Sequence, residues 1–340
     1  MIDRETLQEV MEIGAARRAE RRRFIKIAGA GIAAAGGLSM LSACDDQGSP
    51  AAPVAPTPSP TATTAVSDVD ILNFALTLEY LEGNYYSFAA FGQGPNSSLL
   101  TGTGTQGAVV GGRQVTFADA TVASYAREIA QDEITHILFL RSQLNTAAVA
   151  QPAINIDGSA TGAFTAAARA AGVVSATGTF DPYASDDNWL LGAMLLTDVG
   201  VTAYKGAAAL ITSSVIVDAA AGILATEAYH SGLIRTLLYR RGLSMVPTDR
   251  TFSEMISTAR DSLDGASDDD QGVINPGTVT ANGASYPASN IVPTDGDSIV
   301  YGRTAANVLN EVFLTKTSVT SGGFFPSGIN GNIKASAANA

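Results

Sequence analysis

The stretches Glu133-Ile134-Thr135-His136 and Glu227-Ala228-Tyr229-His230 contain both histidines of this 340-residue chain, and each histidine follows a glutamate by three positions. Both stretches lie in apolar segments with helical periodicity. Residues three apart share one face of a helix, so each glutamate should point the same way as its histidine. A carboxylate and an imidazole on one face suit iron, manganese or zinc. The two motifs therefore predict a helical bundle that binds metal, although such a pair can also be a hydrogen-bonded pair that orders a core.

The sequence contains four long helical patterns, and the two motifs lie in the second and the fourth. The second and third are separated by about 40 residues, which include a short helical piece at 163–171, and a connection of this length fits a crossover along a bundle. Ser67 is a suitable N-cap for the first helix, and Gly242 suits the C′ position after the fourth. The four patterns cover approximately residues 68–91, 117–144, 186–211 and 217–241.

Residues after the fourth helix predict an extension of the bundle. A weak amphipathic helix is expected at about 252–263 and a short helix at about 304–313, with a Gly/Pro/Asn-rich stretch between them. The segment Gly322-Gly323-Phe324-Phe325-Pro326 is too apolar to remain wholly in water, so we expect it to pack on the bundle. We therefore divide this part of the chain into a bundle, residues 68–243, and a C-terminal extension, residues 244–340.

This arrangement resembles the ferritin-like proteins, in which two helices, a long crossover and two more helices carry Glu-x-x-His on the second and fourth. The resemblance implies an all-α ferritin-like four-helix bundle. It also implies one carboxylate from the first helix, which in many members is followed by a tyrosine seven positions later. Glu79 and Tyr86 have that spacing. Glu82 lies about 60° round the same helix and is the second choice, as a substitute or an extra ligand.

The third helix matches the ferritin-like pattern less well. The position seven before Tyr204 holds Thr197, where the resemblance implies a glutamate, and Asp198 stands next to it. A neighbouring helical position is rotated by about 100°. Asp198 is therefore a weaker candidate ligand, which could help only if the helix were rotated or the metal displaced.

The resemblance implies two iron or manganese ions and redox chemistry of the ferroxidase, oxidase or peroxide-dismutating type, with electrons from an outside donor. Several carboxylates facing each other in an apolar core are unfavourable unless cations or protons cancel their charge. Glu79 has the alternative role of pairing with a base such as Arg127, and Tyr85, Tyr86 and Tyr204 are expected to pack or donate hydrogen bonds. The expected metal ligands are Glu79, Glu133, His136, Glu227 and His230, with Glu82 and Asp198 as weaker candidates.

A second function remains open. Residues 303–309 and 322–331 resemble the C-terminal signature of the branch that includes plant desiccation-related proteins and many exported bacterial relatives. A stress-associated envelope protein could use the bundle as a scaffold, with a degenerate or absent metal site. The threonine at position 197 favours this alternative.

The N-terminus predicts where the protein works. Arg21-Arg22-Arg23-Phe24, an apolar run to Met40 and Leu41-Ser42-Ala43-Cys44 together resemble a twin-arginine export signal that ends in a lipobox. The resemblance implies cleavage before Cys44, a lipid on its sulfur that holds the protein at a membrane, and a periplasmic or cell-envelope location. A short transmembrane anchor is the alternative, but the run is short for a span of about 20 residues. Residues 1–43 are thus a predicted signal and residues 44–67 a Pro/Ala/Thr-rich tether.

Composition narrows the classes of partner and site. The net charge of −12 argues against nucleic-acid binding through phosphate contacts. Cys44 is the only cysteine, so the chain can form neither an internal disulfide nor a metal site of several thiolates.

Overall fold

The computed structural model describes residues 66–339, apart from the side chains of residues 275–278. Seven α-helices occur in this part of the chain. They are α1 (Asp68–Phe91), α2 (Ala120–Leu144), α3 (Ala163–Ala171), α4 (Asp186–Ala208), α5 (Ser214–Ser244), α6 (Thr248–Asp264) and α7 (Ala305–Phe313). The predicted all-α fold class is confirmed, with α1, α2, α4 and α5 as the four bundle helices.

Helix α1 is the central helix of the bundle. Its start is set by a capping box, in which the Ser67 side chain accepts from the amide of Asp70 and the Asp70 carboxylate accepts from the amide of Ser67. Residues on every face of α1 are buried, because α2, α4 and the crossover segment all pack against it. Carboxylates on α1 are therefore held inside the core on whichever side they point.

The crossover between α2 and α4 contains a short strand and a short helix. Its strand β2 (Ile154–Ile156) pairs in parallel with β1 (Val109–Gly111) from the loop between α1 and α2, with Val109 opposite Ile154. Helix α3 follows and packs on α6. The long connection thereby ties the loop between α1 and α2 to the C-terminal extension.

The extension packs on the bundle, as predicted. Helix α6 lies along α4 and α5, and α7 contacts α4 and α6. Phe324 and Phe325 are almost completely buried, and the ring of Phe324 lies 5.1 Å from that of Phe164 in an edge-to-face arrangement. The amide of Phe324 also donates to the carbonyl of Val312. The apolar tail is therefore part of the main core.

The structure corrects the predicted end of the fourth helix. Gly242 lies inside α5, which continues to Ser244. A side chain at Gly242 would place its Cβ 2.3 Å from Cγ of Arg250 on α6. This glycine therefore serves the close approach of α6 and does not end the helix.

A β-hairpin was missing from the sequence-based prediction. Strand β3 (Ile274–Ala281) pairs antiparallel with β4 (Ala284–Ser289). Asn282 and Gly283 form the turn with φ values of 51° and 77°. An Asn-Gly pair is a strong hairpin signal, and here it lies within the stretch described above only as rich in Gly, Pro and Asn.

The predictions for the signal, Cys44 and most of the tether lie outside the described residues. Among residues 66–339, no helix has both the length and the apolar character required to cross a membrane.

Candidate metal centre

The two Glu-x-x-His motifs meet in the interior of the bundle. Glu133 and His136 lie one turn apart on α2, Glu227 and His230 lie one turn apart on α5, and all four are buried. Glu79 reaches them from α1 and is also buried. Ligand atoms of Glu79, Glu133, His136 and Glu227 all lie within 4.8 Å of one another. The spacing of residues within each helix, together with the antiparallel packing of neighbours, brings these side chains to one place.

Three carboxylates surround His136. Its Nδ1 lies 3.3 Å from Oε2 of Glu79, 3.4 Å from Oε2 of Glu133 and 3.5 Å from Oε1 of Glu227. One imidazole nitrogen and three carboxylate oxygens, contributed by three helices, form a ligand set suited to iron or manganese.

His230 adjoins this group from the other side of Glu133. Its Nδ1 lies 3.0 Å from Oε1 of Glu133, and the two imidazole rings are 6.3 Å apart between centroids. Glu133 therefore turns one oxygen to each histidine. A carboxylate placed this way is suited to bridging two ions.

Asp132 orients His230. Its Oδ2 lies 3.0 Å from Nε2 of His230, so a proton on Nε2 leaves Nδ1 free to bind a cation. The side chain of Asp132 is 42% exposed, yet it makes this contact with a buried histidine. Its position beside Glu133 is the only sequence signal that would have indicated the role.

Two tyrosines predicted to pack or donate hydrogen bonds line the same region. The Tyr204 hydroxyl donates a short hydrogen bond to Oε1 of Glu79. The Tyr86 hydroxyl meets the hydroxyl of Thr197, also at short range. Arg127, the alternative partner considered for Glu79, is exposed on α2, whereas Glu79 is buried.

Several of these polar atoms lack hydrogen bonds although they are buried. Both Nδ1 atoms lie 3.0–3.5 Å from carboxylate oxygens, yet these contacts do not have the full geometry of hydrogen bonds. Buried polar groups are normally satisfied, so a set of such atoms that face one another is suited to binding a cation. Within the two motifs and Glu79, the buried atoms without a hydrogen-bond partner in the described residues are Oε2 of Glu79, both Oε of Glu133, Oε2 of Glu227 and Nδ1 of His136 and His230.

The pKa shifts in the cluster also favour a cation site. Burial raises the pKa of Glu79 to about 8 and also raises the pKa of Glu227, with Glu133 adding to both. Burial alone would raise the pKa of Glu133 too, but the two imidazoles beside it outweigh burial and lower it. Burial opposes charge on His230, yet Glu133 raises its pKa to about 9. Acidic groups outnumber the histidines that could balance them, which is the situation that divalent cations relieve.

Glu82 also lies inside the bundle. It sits one turn beyond Glu79 on α1 and is buried. Burial raises the pKa of Glu82 well above its usual range, and the neighbouring carboxylates of Glu227, Glu133 and Glu79 raise it further.

Asp198 lies outside the cluster, so its placement as a weaker candidate ligand is not supported. Its Oδ2 accepts from Nη1 of Arg235 at 2.8 Å and from Nη2 of Arg260 at 2.9 Å, and its Oδ1 accepts from the Ser231 hydroxyl. Three hydrogen bonds thus hold the carboxylate outside the cluster. The rotation by one residue from Thr197 turns it toward Ser231 and Arg235 of α5 and Arg260 of α6.

Asp198 belongs instead to a buried charge network that joins the bundle to its extension. Arg260 binds both Asp198 and Asp270, while Arg303 pairs with Asp264 and Glu311. The members of this buried charge network are Asp198, Arg235, Arg260, Asp264, Asp270, Arg303 and Glu311.

Comparison with known proteins agrees with this geometry. The family described as ferritin-like domain matches residues 67–240, which contain the whole cluster. A desiccation-related protein from Craterostigma plantagineum is 30% identical over 76% of this chain and 82% of its own length. A ferritin-like catalase from Nesocodon mauritianus is 28% identical over 78% of this chain and 85% of its own length. No solved structure gives a significant match.

Proposed function

Because the chain belongs to the ferritin-like domain family, we propose that it is a metalloprotein that holds two iron or manganese ions and dismutates peroxide. The observation that carries this proposal is the buried cluster in which six carboxylate and imidazole atoms of three helices have no hydrogen-bond partner in the described part of the chain. The ions would be held by Glu79, Glu133, His136, Glu227 and His230.

Peroxide is the substrate that best fits the comparisons and the site. One of the relatives is named a ferritin-like catalase. Dismutation converts two molecules of hydrogen peroxide to two of water and one of dioxygen, so one peroxide supplies the electrons that reduce the other. When bound, iron or manganese would supply this redox capacity. The outside electron donor expected for ferroxidase or oxidase chemistry is not needed for dismutation.

The chain's own residues would hold the ions and keep the centre apart from bulk water. Glu133 presents an oxygen to each histidine, and Asp132 fixes the orientation of His230. Tyr204 holds Glu79 through its hydroxyl. The side chain of His136 is 10% exposed, more than those of the other four proposed ligands, so a small substrate would enter on that side.

Elemental analysis of the chain, purified after export without added metal or chelator, tests the proposal. We expect about two iron or manganese ions per chain and evolution of dioxygen from peroxide. Glu133→Ala combined with Glu227→Ala should abolish both while helicity is kept, because these residues come from separate helices and their removal relieves buried charge. A matched control replaces two exposed carboxylates of the same helices, Glu128→Ala with Asp218→Ala. Full metal content in the first double variant would refute the assignment.

A structural role is the competing function. The relative named for desiccation favours it, as does the threonine at position 197, whose hydroxyl meets Tyr86 where a carboxylate was expected. A chain that contains no metal after export, and protects a dried membrane or enzyme equally well with and without the Glu133 and Glu227 side chains, would support this role.

We also propose export and lipid attachment through Cys44, on the basis of the twin-arginine and lipobox resemblance. Cys44→Ala should prevent incorporation of labelled fatty acid and release the protein from membranes. Replacement of Arg21, Arg22 and Arg23 by lysine should block export. Membrane retention of the Cys44→Ala chain with an uncleaved N-terminus would favour the transmembrane anchor instead.

A further inference from the structure

We propose that Glu82 binds the second ion of the centre, where it replaces the carboxylate that ferritin-like bundles place on the third helix, and that Gly200 provides the space for it. This inference rests on the proposed two-metal function. It makes α1 the source of two ligands, with Glu79 serving the half of the centre beside His136 and Glu82 the half beside His230.

Glu82 is a buried carboxylate without a counter-charge. Glu82 is only 6% exposed. Oε2 of Glu82 has no hydrogen-bond partner within residues 66–339. Glu82 forms no ion pair with any residue of the described chain. The buried Glu311, by contrast, has Arg303 as its counter-charge. A carboxylate in this situation requires a proton or a cation.

Gly200 on α4 shows where the Glu82 carboxylate points. A Cβ at position 200 would lie 2.8 Å from Oε1 of Glu82 and 2.9 Å from Oε2 of Glu227. The two oxygens therefore face the same point on α4 from α1 and from α5. A glycine inside a helix is less favourable than an alanine there. Its presence here is explained by the space that these two carboxylates occupy.

The expected third-helix position is occupied differently. Thr197 is one turn before Gly200 on α4 and is completely buried. Its hydroxyl is engaged with the Tyr86 hydroxyl. The face of α4 toward the cluster thus carries the short neutral side chain of Thr197 and, one turn later, no side chain at Gly200. This leaves room for a carboxylate from α1.

The oxygens of the two motif glutamates divide between the two halves. Glu133 turns Oε2 toward His136 and Oε1 toward His230. Glu227 turns Oε1 toward His136, while its Oε2 lies beside Gly200 with the Glu82 oxygen. In this assignment the first half would comprise His136, Glu79 and the oxygens of Glu133 and Glu227 that face His136. The second half would comprise His230, the Glu133 oxygen beside it, and the Glu227 and Glu82 oxygens beside Gly200.

The Glu82→Gln variant tests this assignment through metal content. The substitution keeps the size of the side chain and removes its charge, so we expect folding to survive. Purified after export, the variant should contain about one ion per chain where the wild type contains about two. Glu311→Gln is the matched control, because it makes the same substitution at a buried glutamate that lies in the buried charge network, and it should retain the wild-type metal content.

Gly200→Ala supplies a second test, in which none of the proposed ligand residues is replaced. Its methyl group would displace the Glu82 and Glu227 oxygens, so we expect manganese at the second position to bind at least tenfold more weakly in a titration of the metal-free chain. Gly222→Ala on α5, where a Cβ would meet nothing within 4 Å, is the control.

The outcomes separate this inference from the proposed function. Two ions of unchanged affinity in both Glu82→Gln and Gly200→Ala would overturn the role of Glu82 while the two-metal function stood. A wild-type chain with one ion, unaffected by Glu82→Gln, would also overturn it. A wild-type chain that binds no metal would remove the proposed function and this inference together.

Discussion

Glu133 connects the two halves of the centre. It is completely buried, and its oxygens lie 3.4 Å from Nδ1 of His136 and 3.0 Å from Nδ1 of His230. Loss of this one side chain should disturb both proposed metal positions. Loss of Glu82 should disturb only one, which is why metal stoichiometry distinguishes the roles of individual carboxylates better than activity does.

Glu311, in the buried charge network, leads to a prediction about pH. Burial raises the pKa of Glu311 from its usual 4.5 to about 8, although Arg303 opposes the shift. Between these values the folded chain binds a proton that the unfolded chain has released, so this group makes stability fall as pH rises through the window. Glutamine cannot titrate. We therefore expect the wild type to lose about 2–3 kcal/mol more free energy of unfolding than Glu311→Gln between pH 6 and pH 9.

Urea unfolding of the metal-free chain at both pH values measures this difference. Glu128→Gln, which changes an exposed glutamate on α2, should follow the wild type. Equal losses in the wild type and Glu311→Gln would show that Glu311 is already ionised at neutral pH.

Helix α5 contains two glycines that should respond oppositely to the same substitution. At Gly222 an added Cβ would meet nothing within 4 Å, and at Gly242 it would lie 2.3 Å from Cγ of Arg250 and 3.0 Å from the Arg250 amide nitrogen. Gly222→Ala should stabilise the protein by up to about 1 kcal/mol through helix propensity. Gly242→Ala should destabilise it by about 1–3 kcal/mol, because α6 or the Arg250 side chain must move.

Thermal or urea unfolding of the two variants provides the comparison. Because both substitutions lie in one helix, the difference between them isolates the contact with α6 from the intrinsic preference of α5. Stabilisation by both would mean that Arg250 moves aside without cost. Arg250 lies over the ring of Tyr239 at 5.0 Å from its centroid, which restricts that movement.

Across the whole molecule, the metal centre should act as a cross-link between helices. Its proposed ligands come from α1, α2 and α5, so ions that bind only the folded chain stabilise it by mass action. At a free manganese concentration 100-fold above Kd, we expect about 2.7 kcal/mol of added stability per site, or several degrees in Tm. Chelation should reverse the gain, as calorimetry with and without a chelator would show.

The double variant at Glu133 and Glu227 provides the control for that experiment. It should show no metal-dependent change in Tm. Without metal it should melt above the metal-free wild type, because fewer carboxylates then repel one another in the core. A metal-dependent rise in the double variant would place the stabilising ion elsewhere on this acidic chain.

The local spacing of residues made much of the centre predictable. Glu133 and His136 share a helical face by their separation alone, as do Glu227 and His230, and the meeting of these residues with Glu79 agrees with the bundle topology. Contacts from elements remote in sequence were not predictable in this way. The contact between Asp132 and His230 and the pairing of Asp198 with arginines of α5 and α6 depend on how neighbouring helices are rotated.

The sequence by itself determined the four-helix bundle, its crossover, and which helical faces carry metal-binding groups, because these follow from periodicity and separation along the chain. Only the tertiary structure decided how the remaining carboxylates are used. Helix α4 directs Asp198 toward the arginines of the buried charge network, and its Gly200 lies against Glu82 and Glu227. The physical reason is that a carboxylate's role depends on the charge and space around it, and in a bundle those are set by neighbouring helices distant in the chain.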